Sequence, residues 1–427
     1  MTPLLTPLAT DLDGHGHGPA GPPANRPMAQ PLRVLYSFPH PLGLPGIGTT
    51  AYHQVISLWR QGIEVQVYCT SVARPLPPGL PVRQTMALGG QRLPPRAVGV
   101  KRARYWHDRV VATALAREYF DVAHVWPGAA VHTLRACRRL GIPGLREAPN
   151  THTAHACDVV ARETARLGLT MQRNSSHAPN PRSLRLEDAE YGAATALLVP
   201  SDVAAETFVG RGMPAGRLVR HRYGFDPRTF PAPRAEEMER PGTRPLHVVF
   251  VGRCEPRKGL HLLLEAWRRS GLAGRARLTI CGSFWSSYRA LLAPALAQPG
   301  VETPGFVTDV PGLLRSADVL ALPSLEEGSA LVTYEAQASG CALLVSRQSG
   351  AVLTHGEQGL LHEAGDVDTL AAHLRQLEHD RSLLERLRCR ALAARKSLTW
   401  NHAGTILHAA YERSRAAAVD GAGTDAA

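Results

Sequence analysis

The sequence has few cysteines and no long apolar run. Its seven cysteines are scattered along 427 residues and never occur in Cys-x-x-Cys spacing. This pattern predicts a reducing compartment, which we take to be the cytoplasm, and it argues against a disulfide framework or a zinc site. No stretch approaches the length of about 18 consecutive apolar residues that a membrane-spanning helix requires, so none is expected.

The first thirty residues lack the features of a secretory signal. They include DGHGHGPAGPPANRP, which is rich in glycine, proline and histidine, with neither a charged leading region nor an apolar one. This composition predicts a disordered tail. The remaining length suffices for two domains. We predict a tail at 1–30, an N-terminal domain at 31–230, a proline-rich linker at 231–245, a C-terminal domain at 246–398, a final helix at 399–416 and a disordered tail at 417–427.

Apolar strand patterns alternate with helical ones along both predicted domains. Such alternation indicates an α/β fold in which parallel sheets are covered by helices on both faces. The predicted strands are Leu32–Phe38, Glu64–Cys69, Asp121–Val125, Gly144–Glu147, Ala196–Val199, His247–Val251, Ala276–Cys281, Val319–Leu322 and Ala342–Val345. The predicted helices include Thr49–Gln61, Thr153–Leu167, Leu184–Ala194, Glu378–Lys396 and Asn401–Ser414.

A pair of glutamates dominates the segment LPSLEEGSALVTYEAQASGCALLV at 322–345. Proline and glycine prevent a continuous helix there, so we predict Glu327 in a strand-to-helix loop and Glu335 inside the helix that follows. The first N–H groups of that helix would favour an anion between the two carboxylates. A diphosphate-linked sugar suits this arrangement. The alternative is that both glutamates are solvated on a surface turn and helix.

A second motif, HVVFVGRCEPRKGLHLLLEAWRRSG, precedes the glutamate pair. It predicts an apolar strand, a loop with Arg253 and Lys258, and an amphipathic helix. The two cations would then lie at the carboxyl end of a parallel strand, where open α/β sheets bind ligands. There they could neutralise a diphosphate leaving group.

Together these motifs resemble the retaining nucleotide-sugar glycosyltransferases of the GT-B fold, family 4, also called glycosyl transferases group 1. The residues that carry the resemblance are VGRCEPRKG, GFVTDVPGLLRSADVLALPSLEEG, the glutamate pair and Tyr223–Asp226 with Phe230. The resemblance spans roughly residues 32 to 412. It implies two Rossmann-like parallel-sheet domains facing across a cleft, with the C-terminal helix crossing back to the first domain.

The resemblance also implies roles for individual residues. We predict four catalytic residues, Glu327, His152, Arg253 and Lys258. The predicted donor-binding residues are Glu335, Gly46, Gly48, Gly328, Ser329, Ala330, Leu331, Phe306 and Val307. An ionised Glu335 would accept hydrogen bonds from ribose hydroxyls, and Glu327 would meet the sugar hydroxyls.

The choice of histidine follows a pattern found in one branch of the family. Glu147, His152 and Glu163 fit that spacing, so His152 is preferred over His155, although a capping or surface role is the default for either.

Two departures from the family pattern concern donor recognition. Gly328-Ser329-Ala330 stands where many members have Gly-Phe-Gly, and the usual double-glycine segment is shortened to Ser349–Val352. We therefore expect the sugar contacts and the donor selectivity of these loops to differ from those of other members.

The predicted function is transfer of a sugar from a UDP-, GDP- or ADP-sugar to a glycan, lipid or small-molecule acceptor, with retention. No DxD motif accompanies the donor loop, so we expect neither a metal nor a cofactor. Two alternatives stay open: a nucleotide-sugar epimerase or hydrolase of the same fold, and a sugar-nucleotide-binding relative without catalysis.

The formal net charge of +12 raises a separate question about partners. A basic cluster in the N-terminal domain is interleaved with Tyr105 and Trp106, and it consists of Arg92, Arg96, Lys101, Arg102, Arg104 and Arg109. Such a cluster is either a solvated helix face or a contact with anionic lipid at the inner membrane face. Nucleic acid ranks last, because no nucleic-acid-binding module is visible, and we predict no such partner.

Overall fold

The structure is a computed structural model that describes residues 31–88, 91–92, 99–172, 175, 177–178, 180–239 and 244–424. The predicted tail at 1–30 and Arg96 of the basic cluster lie outside the described residues, as do 425–427. None of the described helices is both long enough and apolar enough to cross a membrane.

The N-terminal domain contains a sheet of seven strands, all parallel, in the order β3-β2-β1-β6-β7-β8-β9. Its central strands are apolar and buried on both faces, as expected of a parallel sheet between helices. Two further strands of two residues each, β4 and β5, form a separate antiparallel pair. The strands are β1 (Arg33–Leu42), β2 (Glu64–Val72), β3 (Val82–Gln84), β4 (Ala87–Leu88), β5 (Gln91–Arg92), β6 (Val122–Val125), β7 (Gly144–Glu147), β8 (Ala196–Val199) and β9 (Leu218–Arg220).

Polar caps fix where several helices of this domain begin. Asn180 accepts hydrogen bonds from the first N–H groups of one helix, which has Pro181 at its first position, and Ser201 caps the next. The helices are α1 (Ile47–Arg60), α2 (Val100–Leu115), α3 (Val131–Leu140), α4 (Thr153–Arg166), α5 (Pro181–Ala193) and α6 (Asp202–Val209).

The C-terminal domain repeats this architecture with six parallel strands in the order β12-β11-β10-β13-β14-β15. The strands are β10 (His247–Val251), β11 (Arg277–Cys281), β12 (Val301–Gly305), β13 (Val319–Leu322), β14 (Ala342–Ser346) and β15 (Gly359–His362). The helices, starting in the linker, are α7 (Ala235–Met238), α8 (Leu260–Ser270), α9 (Ser286–Leu296), α10 (Val310–Ser316), α11 (Leu331–Ala338), α12 (Val367–His379), α13 (Arg381–Ala393) and α14 (Trp400–Thr424).

Each sheet has one point where the chain changes direction across it. In the first sheet, β2 and β3 are added on one side of β1, and the chain then returns to place β6 on the other side. In the second sheet, β11 and β12 are added on one side of β10, and β13 lies on the other side. Open α/β sheets bind ligands outside the carboxyl ends of the strands at such points. The two predicted Rossmann-like domains are confirmed, and each offers one such binding edge.

The final helix, α14, crosses back to the N-terminal domain as expected. Its Leu407 and Tyr411 belong to the core beneath the first sheet. Ser57 of α1 donates a hydrogen bond to the carbonyl of Trp400 at 2.9 Å. Gly404 allows α1 to approach closely, because a Cβ there would collide with the Ser57 hydroxyl.

Two of the departures from the predicted helix boundaries have a clear physical cause. The helix predicted at Glu378–Lys396 is divided at Asp380, whose carboxylate accepts a hydrogen bond from Leu383 N and starts α13. At the C-terminus, α14 continues through 417–424, where we expected disorder. The alanine run 416–418 explains the extension, since alanine has the highest helix propensity.

A fully buried carboxylate, Glu147 at the end of β7, connects α14 to the first sheet. Its oxygens lie 3.1 Å from His124 Nε2 and 2.9 Å from His221 Nε2, and Tyr223 donates a hydrogen bond to it at 2.8 Å. Tyr411 of α14 reaches the other ring nitrogen of His124 at 2.5 Å. Burial by itself raises the pKa of Glu147, but His221 and His124 outweigh burial and lower it, so the group is ionised.

We predict that Glu147→Gln destabilises the chain strongly. The amide has one acceptor oxygen in place of two and adds an N–H donor beside the histidine rings, and losing a buried hydrogen bond to a charged group costs roughly 1.5–3 kcal/mol. Chemical denaturation followed by circular dichroism would show a lower midpoint. The control is Glu265→Gln, which removes a surface ion pair with Arg268 and Arg269 and should change the midpoint little. Equal midpoints for the two variants would contradict the role of Glu147.

Candidate active site

Both sequence motifs lie at the binding edge of the C-terminal sheet. The loop with Arg253 and Lys258 follows β10, and the loop with Glu327 follows β13, the neighbouring strand. Gly259 makes this proximity possible, since its φ is +69° and a Cβ there would collide with the Pro323 carbonyl. The fold therefore brings the loop with the cations next to the loop with the carboxylate at one edge of the sheet.

Glu327 is ionised and paired with two cations. The ammonium of Lys258 contacts one of its carboxylate oxygens, and Arg257 Nη1 lies 3.0 Å from the other. Burial alone would raise the pKa of Glu327, but Arg257 and Lys258 outweigh burial and lower the pKa to about 2. Both residues lie in the loops where the sequence predicts them, and their ion pair is an addition from the structure.

Arg257 is the cation that the sequence interpretation missed. Its guanidinium also contacts Glu255 at 3.2 Å and donates to the carbonyl of Glu326 at 2.8 Å. Arg253, by contrast, has 64% of its side chain exposed and lies 3.8 Å from the Glu255 carboxylate. The available signal was the Arg257-Lys258 doublet in one motif opposite the Glu326-Glu327 doublet in the other.

Glu326 extends the cluster to the N-terminal domain. It is buried, and one carboxylate oxygen accepts a hydrogen bond from the Thr151 hydroxyl. Its other oxygen lies 3.4 Å from Arg257 Nη1 and 3.9 Å from His177 Nε2. The ion cluster therefore links both domains at the edge of the cleft.

Gly328 lies where the two domains come closest. A Cβ at this position would collide with the Pro149 carbonyl and with the backbone of Asn150. Its own carbonyl accepts a hydrogen bond from Ser201 Oγ at 2.6 Å. Only glycine fits this approach.

The two segments that depart from the family pattern contact each other. Ser329 Oγ donates to the carbonyl of Gly350 at 2.9 Å, and Ala330 N donates to the carbonyl of Ser349 at 3.1 Å. The substitutions at 328–330 and at 349–352 therefore form one structural unit beside the start of α11.

Helix α11 begins with no side-chain cap. Ala330 is its N-cap residue and Leu331 its first residue, as the sequence predicts. Glu335 lies one turn further, on the same side as Leu331. Within the described part of the chain, its carboxylate accepts no hydrogen bond, and burial raises its pKa to about 7. An uncapped helix start near a carboxyl group that lacks partners is an arrangement that can receive both an anion and hydroxyl donors.

The remaining predicted donor contacts occupy loops at the same ends of the strands. Phe306 and Val307 follow β12, and Phe306 is 82% exposed. Gly46 is the exposed N-cap of α1, and Gly48 is the second residue of that helix and is buried. These positions are compatible with the prediction, and none of them makes contact with the ion cluster in the described structure.

His152 lies apart from the ion cluster. Its Nδ1 accepts a hydrogen bond from Ala154 N at 3.2 Å, so it caps α4, and its ring packs between Tyr191 and Phe208. His155, not His152, lines the interdomain cleft of about 520 Å³ with Leu325 and Arg347. The catalytic role of His152 stays a prediction, while the structure shows its capping role.

The pattern that selected His152 is not a spatial cluster. Glu147 lies in the buried network of the first sheet, and Glu163 lies 2.7 Å from His261 Nε2 of the C-terminal domain. β7 and α4 direct these side chains to different partners.

The described residues include no group of three or more histidine, cysteine, aspartate or glutamate side chains arranged to hold a metal ion.

Comparison with known proteins agrees with this geometry. The model of the glycosyltransferase family 4 domain matches residues 45–229, and the model of glycosyl transferases group 1 matches residues 245–380. The two matches cover the C-terminal sheet, every strand of the first sheet except β1, and the loops of the ion cluster. The chain is a family 4 glycosyltransferase.

Relatives of this glycosyltransferase match over nearly the whole chain. The D-inositol 3-phosphate glycosyltransferase of Actinosynnema mirum is 28% identical over 429 residues, which cover 90% of this chain and 97% of the relative. Among solved structures, sucrose-phosphate synthase from Thermosynechococcus elongatus has a TM-score of 0.66 at 18% identity, covering 90% of this chain and 100% of the other. HepE of Anabaena, solved in complex with UDP-glucose, has a TM-score of 0.60 at 16% identity, covering 88% and 99%. The structural matches confirm the GT-B fold.

We predict that the stability of this glycosyltransferase depends on pH through Glu335. Its folded-state pKa of about 7 exceeds the unfolded value of about 4.3. Stability from this group is therefore fully present below pH 4.3 or so and is lost as pH rises through 7. The melting temperature of the wild type should fall relative to that of Glu335→Gln between pH 5 and pH 8. A difference that does not change with pH would show that the group has no raised pKa.

Proposed function

We propose that this glycosyltransferase transfers a sugar from a nucleoside diphosphate donor to an acceptor hydroxyl with retention of anomeric configuration. The observation that supports the proposal most is the meeting of Lys258 and Arg257 with Glu327 beside the uncapped start of α11. Cations and helix N–H groups at one point suit a leaving diphosphate.

In the proposed reaction, the donor diphosphate competes with Glu327 for Lys258. When a phosphate oxygen takes the ammonium as its partner, the carboxylate of Glu327 becomes available to the sugar hydroxyls. Arg253 is exposed and can add a second charge-assisted contact to the diphosphate. Glu335 accepts hydrogen bonds from the ribose hydroxyls in its ionised form.

Bond breaking and bond formation would take place on the same face of the sugar. The bond from the anomeric carbon to the diphosphate oxygen breaks through an oxocarbenium-like state, and the acceptor oxygen bonds to that carbon. The departing phosphate oxygen takes the acceptor proton. This route needs no covalent sugar–enzyme intermediate, and we propose that it needs neither metal nor cofactor.

A uridine donor is the first to test, because HepE was solved with UDP-glucose. GDP- and ADP-sugars complete the panel. The acceptor is a glycan, a lipid or a small molecule, and nucleic acid is not among the proposed partners. An epimerase or hydrolase of this fold would turn the donor over without an acceptor, and a relative without catalysis would bind the nucleotide only.

We predict that one nucleotide sugar of this panel raises the melting temperature and is turned over, with release of its nucleotide. Glu335→Ala and Lys258→Ala should each lower this turnover by more than about tenfold, since each removes a charge-assisted contact. The matched controls are Glu302→Ala and Lys396→Ala, which remove exposed charges far along the chain from these loops. Near-normal turnover in both site variants, or no stabilisation by any donor, would overturn the proposal.

We also propose that helix α2 contacts anionic lipid and holds the enzyme at the inner face of the cytoplasmic membrane. Ala103, His107 and Val111 are buried, so the opposite face is exposed. That face has Tyr105 and Trp106, which are 56% and 58% exposed. The cations Lys101, Arg102 and Arg109 lie on the same side. Exposed aromatics beside cations are typical of an interfacial helix.

We predict that the protein sediments with vesicles of phosphatidylglycerol at low salt and far less with phosphatidylcholine vesicles. The attraction is electrostatic, so roughly physiological or higher salt should weaken it. The double substitution Tyr105→Ala/Trp106→Ala should reduce binding with the charge unchanged. Sedimentation that ignores both lipid charge and salt would refute a membrane role for α2.

A further inference from the structure

A second group of polar residues lies at the binding edge of the N-terminal sheet. His40 is near the carboxyl end of β1, Pro127 and Gly128 follow β6, and Arg104 lies in the second turn of α2. We call these four residues the sheet-edge cluster. Since β1 and β6 are the neighbouring strands at which the chain changes direction, this is where a ligand of the first domain is expected.

Arg104 differs from the other cations of its helix because it points inward. Its Nε is buried and has no hydrogen-bond partner among the described residues. Its guanidinium lies against Gly128, where an added Cβ would stand 3.4 Å from Nη1. Gly128 has a φ of +90°, so a side chain there would be strained as well. The backbone therefore leaves room for this guanidinium at the sheet edge.

No carboxylate forms an ion pair with Arg104 in the described structure. The carboxylate that influences it most is Glu190, but Glu190 is already committed to other donors. It accepts hydrogen bonds from Gly128 N at 3.0 Å and from Ala130 N at 3.2 Å, and Arg146 Nε donates to it at 2.9 Å. Burial lowers the pKa of Arg104, and Glu190 offsets this only in part. A partly buried charge without a hydrogen-bonded counter-ion is costly, which a bound anion would remedy.

His40 provides a second polar group beside the guanidinium. Its ring packs on Phe38, with the ring centres 5.2 Å apart. Burial lowers its pKa to about 4, and the neighbouring charge of Arg104 contributes to the shift. His40 is therefore neutral near pH 7, so the cluster has one positive charge, from Arg104, and a neutral imidazole next to it.

We propose that Arg104, assisted by His40, binds a phosphate group of the acceptor. A guanidinium donates two parallel hydrogen bonds to such a group, and its fixed charge suits this role. The proposal rests on the proposed function, which assigns the donor to the C-terminal domain and leaves this edge of the other domain for the acceptor. The competing explanation is that Arg104 only balances the charge of Glu190.

The test uses the full chain with saturating UDP, so that phosphate cannot enter the donor site. Isothermal titration would compare inorganic phosphate and glycerol 3-phosphate with uncharged glycerol. We expect saturable binding of glycerol 3-phosphate and none of glycerol. Arg104→Gln should weaken this binding at least tenfold, and Arg104→Lys should weaken it less. Arg139→Gln, which removes an exposed cation from α3, is the matched control and should bind as the wild type does.

The outcomes separate the competing explanations. Equal binding by the wild type and Arg104→Gln, or no Arg104-dependent binding of the phosphate compounds or of phosphatidylglycerol vesicles, would overturn the proposal. A lower melting temperature of Arg104→Gln with unchanged anion binding would also overturn it, because Arg104 would then only balance Glu190. If Arg104-dependent binding occurs with phosphatidylglycerol vesicles and not with glycerol 3-phosphate, the anion belongs to a lipid headgroup acceptor.

The proposed function is judged by a different measurement on the same protein. Absence of stabilisation by UDP and by every nucleotide sugar would refute the donor site. The difference in phosphate affinity between the wild type and Arg104→Gln would still decide whether this anion site exists.

Discussion

The ion cluster of Arg257 and Lys258 with Glu326 and Glu327 is the interaction on which the rest of the site depends. It joins the loops that follow two neighbouring strands, and its charges are nearly balanced within a buried volume. Because ionised side chains cannot be buried alone, each loop fixes the position of the other. The same cluster places Lys258 next to the carboxylate that meets the sugar in the proposed reaction. The charges that hold the two loops together are therefore the same charges that take part in the proposed reaction.

The contact between the domains follows from this cluster. Glu326 accepts a hydrogen bond from Thr151 of the N-terminal domain, and two residues later the backbone of Gly328 lies against Pro149. The absence of a side chain at 328 lets backbone meet backbone, so the cleft is closed at this end without a large apolar interface. The loop 349–352 packs behind the same segment. The proposed donor recognition and the domain contact thus depend on one short stretch of chain.

Much of the fold could be predicted from the sequence, and the errors have physical causes. All nine predicted strands are present, because central parallel strands are continuous apolar runs. Six of the described strands were missed: β4 and β5 form the two-stranded hairpin, and β3, β9, β12 and β15 are the edges of the two large sheets, which are short or partly polar and lack that pattern. Glu327, Lys258 and the start of α11 were placed correctly. Periodicity could not show that Arg257 forms the ion pairs, that Arg104 points inward or that His152 caps a helix, since these depend on tertiary packing.

The return of α14 to the first sheet limits how this protein can be divided. Tyr411 contacts His124, and Gly404 lets α1 pack against the helix, so the last part of the chain completes the core of the first domain. An N-terminal half expressed alone would expose the apolar core residues that Leu407 covers. It would also leave the buried His124 without Tyr411. Chimeras that exchange donor domains between relatives therefore need to carry a compatible final helix. The two domains are therefore not modular in sequence.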